Sequence, residues 1–387
     1  MAVRFRHLRD DERGMSMMFV GAGFLAFFAA TGLSIEVGMY MNARAQSQNA
    51  ADAGAHSGAV ALALDSFDNR SPSGPAVQSA RNAALENHVI HGAVSVEPAD
   101  VTFPAAPSGE FNRVRVNVFR TGARLNPVAS MIGPMFGINA VDVGATATAE
   151  AAPANAMTCV RPFTIPDRWI ENNIPPNDTF DRYNNKGEVI PNADVYLPWD
   201  HPDYHLNGYD SDPMPEGDRG MLLTLRAGTG NNVAPTMYYS WNMPGGDIGA
   251  DYYEENIRAC NHSSIGHGYD MTQEPGNMVG PTTQGIDDLI AQDPTAYWDE
   301  TSDSVKSPLG RSPRIFPIPL YDPDWFQSGK MTGRNATLRL ANWLGFFVEG
   351  RNGNEVYGRI TPILGTIDPD AGPAPEGAFP RAVRLVQ

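Results

Sequence analysis

The chain has 387 residues, enough for one large or two modest folded units. Its 28 Lys and Arg against 44 Asp and Glu give a formal charge of −16, which excludes the basic surface that a nucleic-acid binder needs to displace counterions from phosphates. With 38 Gly and 32 Pro it is rich in loops, and 42% apolar residues exclude a disordered chain.

The first element is an apolar run at residues 15–35, MSMMFVGAGFLAFFAATGLSI, without a charge or a proline. At 1.5 Å per residue a helix of that length spans a hydrocarbon layer of about 30 Å. Arg4, Arg6, Arg9 and Arg13 precede it, and only Arg44 follows within the next turns. That asymmetry predicts a cytoplasmic N-terminus (1–14), a transmembrane helix (15–37) and export of the remainder. The alternative is a cleaved signal peptide, whose apolar core is usually shorter and ends in an A-x-A-like site. No such site follows directly, so a retained single-pass anchor in the inner membrane is the expectation.

Along this anchor Ala22, Ala26, Ala30, Ser34 and Gly38 recur every four residues. Small residues at that spacing let helices approach closely in lipid, so the stripe predicts packing against other anchors, including a homo-oligomer. Glu36 ends the apolar run. It reads either as a carboxylate at the membrane boundary or as a partner for a cation on a neighbouring anchor.

From 36 to 64 no proline interrupts an alanine-dense stretch, so the helix should continue beyond the membrane. Gly54 and Gly58 each cost about 1 kcal/mol in a helix interior, which close packing against another backbone would offset. A turn cluster at 65–75 and a second helix at 76–90 follow. Period-2 alternation predicts strands at 94–98, 112–120 and 138–151, with a short apolar helix at 128–137 between them. Residues 38–150 therefore read as a small α+β module.

Residues 151–387 read as a mainly β, loop-rich second domain, with strands expected at 221–228, 235–242, 314–321 and 342–350 and a helix at 281–293. The fold class is α+β. Cys159 and Cys260 lie in this part. In an oxidising compartment a single disulfide is the default, closing a loop worth about 4–5 kcal/mol; two free thiols are the alternative. Asp210 and Asp212, with Asp218 nearby, could supply oxygens to Ca²⁺, but their spacing is not that of an EF-hand loop, and a solvated acidic loop is the simpler reading. His201 and His205 are poorly placed for zinc because Pro202 disfavours the helix that would align them. Residues 21–26 match the dinucleotide fingerprint G-x-G-x-x-A but lie inside the membrane run, where the strand-to-helix turn it needs is missing. No phosphate-binding loop, H-E-x-x-H, G-x-S-x-G or C-x-x-C occurs, and the chain is not expected to be an enzyme.

Arg13-Gly14, the apolar run, Gly32-Leu33-Ser34-Ile35-Glu36-Val37-Gly38 and Ala45-Gln46-Ser47-Gln48-Asn49-Ala50-Ala51-Asp52-Ala53 together resemble the N-terminal region of TadE/TadG-like proteins of Flp (tight adherence) pilus assembly. The likeness covers about residues 10–64 well and 65–150 loosely. It implies a membrane-anchored structural factor of a Flp/Tad pilus or related secretion system, with other Tad proteins or pilins and the lipid bilayer as partners. Prepilin-type members carry a Glu five residues after the processing Gly, where this chain has Phe19. That favours a retained assembly factor over the alternative, a minor pilin. A metal site of the Asp-x-Ser-x-Ser kind, which many TadG-like proteins carry, is not found in the sequence. Further alternatives are a membrane-tethered metal-dependent hydrolase using Asp210 or His201, and an adhesin presenting Tyr238, Tyr239 and Trp241.

Overall fold

A computed structural model of the protein describes residues 13–64, 69–107, 109–204, 208–211, 214, 217–228, 232–245, 247–276, 278–331, 337–374 and 377–386. Helix α1 (Arg13–Leu64) runs for 52 residues without a break, as the proline-free, alanine-dense sequence predicts. Its N-terminal half stands bare. From Glu36 onwards it becomes half-buried, and Ala43, Ser47, Ala50, Ala51, Ala55, Ala59 and Leu62 face inwards.

Helix α2 (Pro75–Leu85) begins with Pro at its first turn, where the missing N–H is no loss, and presents Ala76, Val77, Ala80 and Ala84 to α1. Both helices lie on an antiparallel sheet formed by β1 (Val101–Thr102), β2 (Arg113–Arg120), β3 (Val143–Pro153) and β11 (Arg381–Val386) in the order β11-β3-β2-β1. Along β2, Val114, Val116 and Val118 point at the helices while Arg113, Arg115 and Asn117 alternate outwards. Glu150 on β3 lies opposite Arg113 on one side and Arg384 on the other, at 2.8 and 3.7 Å.

Gly54 and Gly58 lie where α1, α2 and β2 converge. A Cβ on Gly54 would come 2.9 Å from the Ala80 carbonyl oxygen, and one on Gly58 would come 2.9 Å from both Ala80 Cβ and Val114 Cγ1. The close backbone approach expected of these glycines is present. The expected helix at 128–137 does not form. Residues 128–129 pair with 140–141, and only a 3₁₀ turn, Gly133–Phe136, lies between them. Gly133, Pro134 and Gly137 (φ 81°) break the pattern. Helix α2 likewise ends at Leu85, short of the expected residue 90.

The rest of the chain forms a six-stranded closed barrel. Its strands are β4 (Phe163–Pro166), β5 (Leu222–Ala227), β6 (Met237–Ser240), β8 (Ile315–Tyr321), β9 (Leu338–Asn352) and β10 (Glu355–Ile360). The order is β9-β8-β4-β6-β5-β10, with β10 pairing back on β9, and β7 (Asp270–Met271) is added outside β9. Pairings β4–β8 and β5–β6 are parallel and the others antiparallel. Phe163, Phe316 and Phe346 pack ring against ring in the core. Strand β8 tolerates Pro317 and Pro319 because their carbonyls face the β4 side, where the Arg161 amide and Thr164 hydroxyl donate to them. The two missing N–H groups therefore fall outside the β8–β9 ladder.

Three helices cover the barrel: α3 (Ala250–Arg258), α4 (Val279–Ala291) and α5 (Pro323–Met331). Of these, α4 matches the expected helix at 281–293, whereas α3 and α5 were not expected. The final strand, β11, leaves the second unit and pairs with β3 of the first, from Arg381↔Pro153 to Val386↔Thr148. The segment expected as one second domain thus contributes a strand to the first unit.

Candidate functional site

The bare half of α1 is one candidate surface. Among the described residues one helix is long and apolar enough to cross a membrane, and its most apolar window is wholly exposed. Ala22, Ala26, Ala30, Ser34 and Gly38 are all exposed, and the Ser34 hydroxyl donates to the Ala30 carbonyl of its own helix at 2.8 Å. The stripe therefore presents small side chains with its one polar group already satisfied.

Glu36 is 6% exposed at the point where α1 meets its folded unit. Its Oε1 accepts hydrogen bonds from the Tyr40 hydroxyl, at 2.6 Å, and from the Ser130 hydroxyl; its Oε2 accepts the Ile132 amide at 2.9 Å. Ser130 Oγ in turn accepts the Gly133 amide at 2.7 Å, which tightens the loop around the carboxylate. Four residues earlier Ile132 lies over Gly32, so closely that a Cβ there would come within 2.2 Å of Ile132 Cδ1. The carboxylate is thus bound by neutral donors of its own chain. Sequence periodicity could not find this clamp, because Ser130 is 94 residues away.

Cys159 and Cys260 are joined in a disulfide, with Cα atoms 4.4 Å apart. Arg161, two residues on, donates to the carbonyls of Ala259 and Asn256 at 2.5 and 3.2 Å and so caps the C-terminus of α3. Burial pushes its guanidinium down to about 10. Bond and cap together pin α3 to the entrance of β4. His262 Nδ1 lies 3.5 Å from Cys260 Sγ, but with both sulfurs bonded to each other no thiolate is present to ligate a metal.

Asp218 is buried; its Oδ2 accepts Arg168 Nη1 and the Asp210 amide, both at 2.9 Å. This carboxylate closes the loop on itself and balances Arg168. Asp212 and His205 lie outside the described residues. Tyr238, Tyr239 and Trp241 are 3%, 8% and 0% exposed and belong to the barrel core, so they form no outward-facing aromatic patch.

A buried polar network gathers around Asp167, just after β4. Asp167 accepts the hydroxyls of Tyr204 and Tyr196 at 2.9 and 3.1 Å, and Asn342 Nδ2 donates to Tyr204 at 2.9 Å. Burial pushes Asp167 up to about 7, opposed by the Tyr204 hydroxyl. His267, beside Trp199 and Trp343 with ring centroids 4.8 and 4.4 Å away, contacts the Ala341 carbonyl through Nδ1 at 2.9 Å, and burial pushes it down to about 4.

These features define a class: a bare, apolar N-terminal helix carried on an α+β unit, with a disulfide-pinned barrel beyond it. Residues 14–61 match the Tad family model, described as "Putative Flp pilus-assembly TadE/G-like". That likeness to a pilus-assembly family lies within helix α1 and does not reach the barrel. Comparison with curated proteins and with solved structures finds no match.

Proposed function

We propose that the chain is a membrane-anchored structural and assembly factor of a bacterial Flp/Tad pilus or a related secretion system. In this reading α1 crosses the inner membrane once, with its N-terminus in the cytoplasm and both folded units outside. The observation that carries it is the coincidence of the family match with a single element: residues 14–61 fall wholly within α1. The part of the chain that is TadE/G-like is thus one rod, bare over its apolar half and docked on a sheet over the other. A bare half of this kind supports packing against other anchors through the stripe from Ala22 to Gly38, while the folded units meet pilins or channel components.

The test is intact-mass spectrometry of protein recovered separately from membranes and from sheared surface filaments. The expected result is full-chain mass, confined to membranes. A chain lacking its first 14 residues and found in filaments would make it a minor pilin and overturn this reading.

A further inference from the structure

The loop that grips Glu36 is apolar on its outer side. Met131, Met135, Phe136 and Ile138 are 70%, 83%, 74% and 54% exposed, four large apolar side chains within eight residues. No charged residue occurs from 125 to 141. Single exposed apolar side chains are ordinary on a folded surface; a contiguous uncharged cluster is the kind of patch that marks an interaction site.

The position of the loop identifies what it meets. Ile132 rests on Gly32, inside the apolar run that ends at Ile35, and Ser130 and Ile132 hold Glu36 just beyond that run. From Gly32 to the end of the run is about 5 Å along the helix axis. Elements that lie in a membrane interface bury their apolar side about 5–10 Å into the headgroup and acyl boundary. The loop is therefore fixed, through a rigid helix, at the depth of the outer leaflet's boundary. It also leaves the small-residue stripe free: at 100° per residue, Ser34 lies about 160° around the helix from Gly32 and Glu36.

We propose that residues 131–138 are a second membrane contact, an interfacial loop that inserts Met131, Met135, Phe136 and Ile138 into the lipid of the leaflet facing the folded units, with Glu36 setting its depth. The inference rests on the reading of α1 as a membrane anchor. Glu36 is a positioning residue. Its carboxylate, withdrawn from water, takes the hydroxyls of Tyr40 and Ser130 and the Ile132 amide in place of solvent, and those bonds lock the loop against the helix. With one contact the first unit would tilt and turn in the bilayer together with α1. With two, the unit carrying the sheet has a fixed orientation above the bilayer.

The test uses the full chain with its disulfide intact, reconstituted into vesicles of phosphatidylethanolamine and phosphatidylglycerol. An environment-sensitive fluorophore is attached to a single introduced cysteine in Met135→Cys, in Phe24→Cys on the anchor, or in Leu309→Cys, an exposed apolar position of the second unit. Lipids bearing a nitroxide high on the acyl chain serve as quenchers. The expected result is quenching and a blue-shifted emission at positions 24 and 135 and neither at 309. Adding Glu36→Ala should remove the shift and most of the quenching at 135 while leaving position 24 unchanged, and Glu36→Gln, which keeps an acceptor oxygen, should restore part of it.

Quenching at 24 with none at 135 would overturn the inference while leaving the anchor reading intact, and cross-linking of position 135 to a neighbouring chain would then name a protein as its cover. No quenching at 24 would remove the anchor reading and the inference with it. Quenching at 135 unchanged by Glu36→Ala would overturn the role given to Glu36.

Discussion

Gly58 on α1 and Ala80 on α2 meet so closely that a methyl group on the glycine would come 2.9 Å from the alanine Cβ, with Val114 Cγ1 equally near. Three backbones converge there, and none can retreat without opening the core. Gly58→Leu is therefore expected to destabilise the first unit by about 1–3 kcal/mol, the usual cost of forcing extra carbons into a filled core. Gly58→Ala is expected to be milder, since the helical preference of Ala returns about 1 kcal/mol against the clash. Chemical denaturation of both variants in detergent, followed by circular dichroism, checks the order. Equal stability of Gly58→Leu and the parent would contradict the packing.

The Cys159–Cys260 bond closes a loop of sequence separation 101 and pins the end of α3. Cys159→Ser with Cys260→Ser is expected to cost about 2–5 kcal/mol, largely through the freedom returned to the unfolded chain. Reductant should have the same effect on the parent and none on the double variant. Urea denaturation with and without dithiothreitol reads both.

Asp167 and His267 should oppose each other as pH changes. Asp167 has its folded pKa raised to about 7, so below neutrality the folded state holds a proton that an unfolded Asp, with a pKa of about 3.9, has already lost. Its contribution to stability falls as pH rises from about 4 to 7. It is worth on the order of 4 kcal/mol across the whole window. His267 has its folded pKa lowered to about 4, so over a similar window the unfolded state binds the extra proton and stability rises with pH. The parent curve should therefore be flatter than either variant's. Asp167→Asn is expected to gain stability as pH rises from 4 to 6.5, and His267→Gln to lose it from 4 to 7. Urea midpoints across that range, measured on the full chain, test the signs; parallel curves for the two variants would rule the account out.

If the anchors pack through the small stripe, Ala26→Leu with Ala30→Leu should lower inter-chain cross-linking in membranes without changing the stability of the folded units, since both residues are exposed and lie outside the core. Cross-linking at an introduced Gly23→Cys, with a denaturation curve beside it, separates the two effects. Unchanged cross-linking would show that the stripe is not the contact.

Much of the first unit was legible in the sequence because its signals are local. Absence of proline and a run of alanines mark α1 beyond the membrane stretch, and Val114, Val116 and Val118 alternate clearly along β2. Gly54 and Gly58 even announced a close neighbour. The barrel's closure was not legible, since it depends on β10 pairing with both β5 and β9 and on two parallel pairings that no local period encodes. Helix α5 starts with Asp322 accepting the Trp325 amide just before Pro323, a local start signal that went unread in the sequence. Helix α3 buries only Tyr253, Asn256 and Ile257, too few positions to set a period. The segment at 128–137 misled because its apolar content suggests a buried helix, whereas its outer side is exposed. Of the candidate sites, the cysteine pair was legible by number alone. Glu36 was legible as an exception in an apolar run, but its partners come from a distant loop, and only the fold brings them together.

Strand β3 lies between β2 and β11, and β11 follows every barrel strand in the chain. During synthesis, therefore, the first unit waits. Its helices and the β2–β3 pair can assemble early, but one side of β3 stays open until the whole barrel has been made and Arg381–Val386 arrives. That open edge carries VGATATAEAAP, a long strand with a single charge, the kind of unpaired edge that pairs with other chains. A chain that stopped before Arg381 would keep the barrel strands and α1, yet present an adhesive edge on β3.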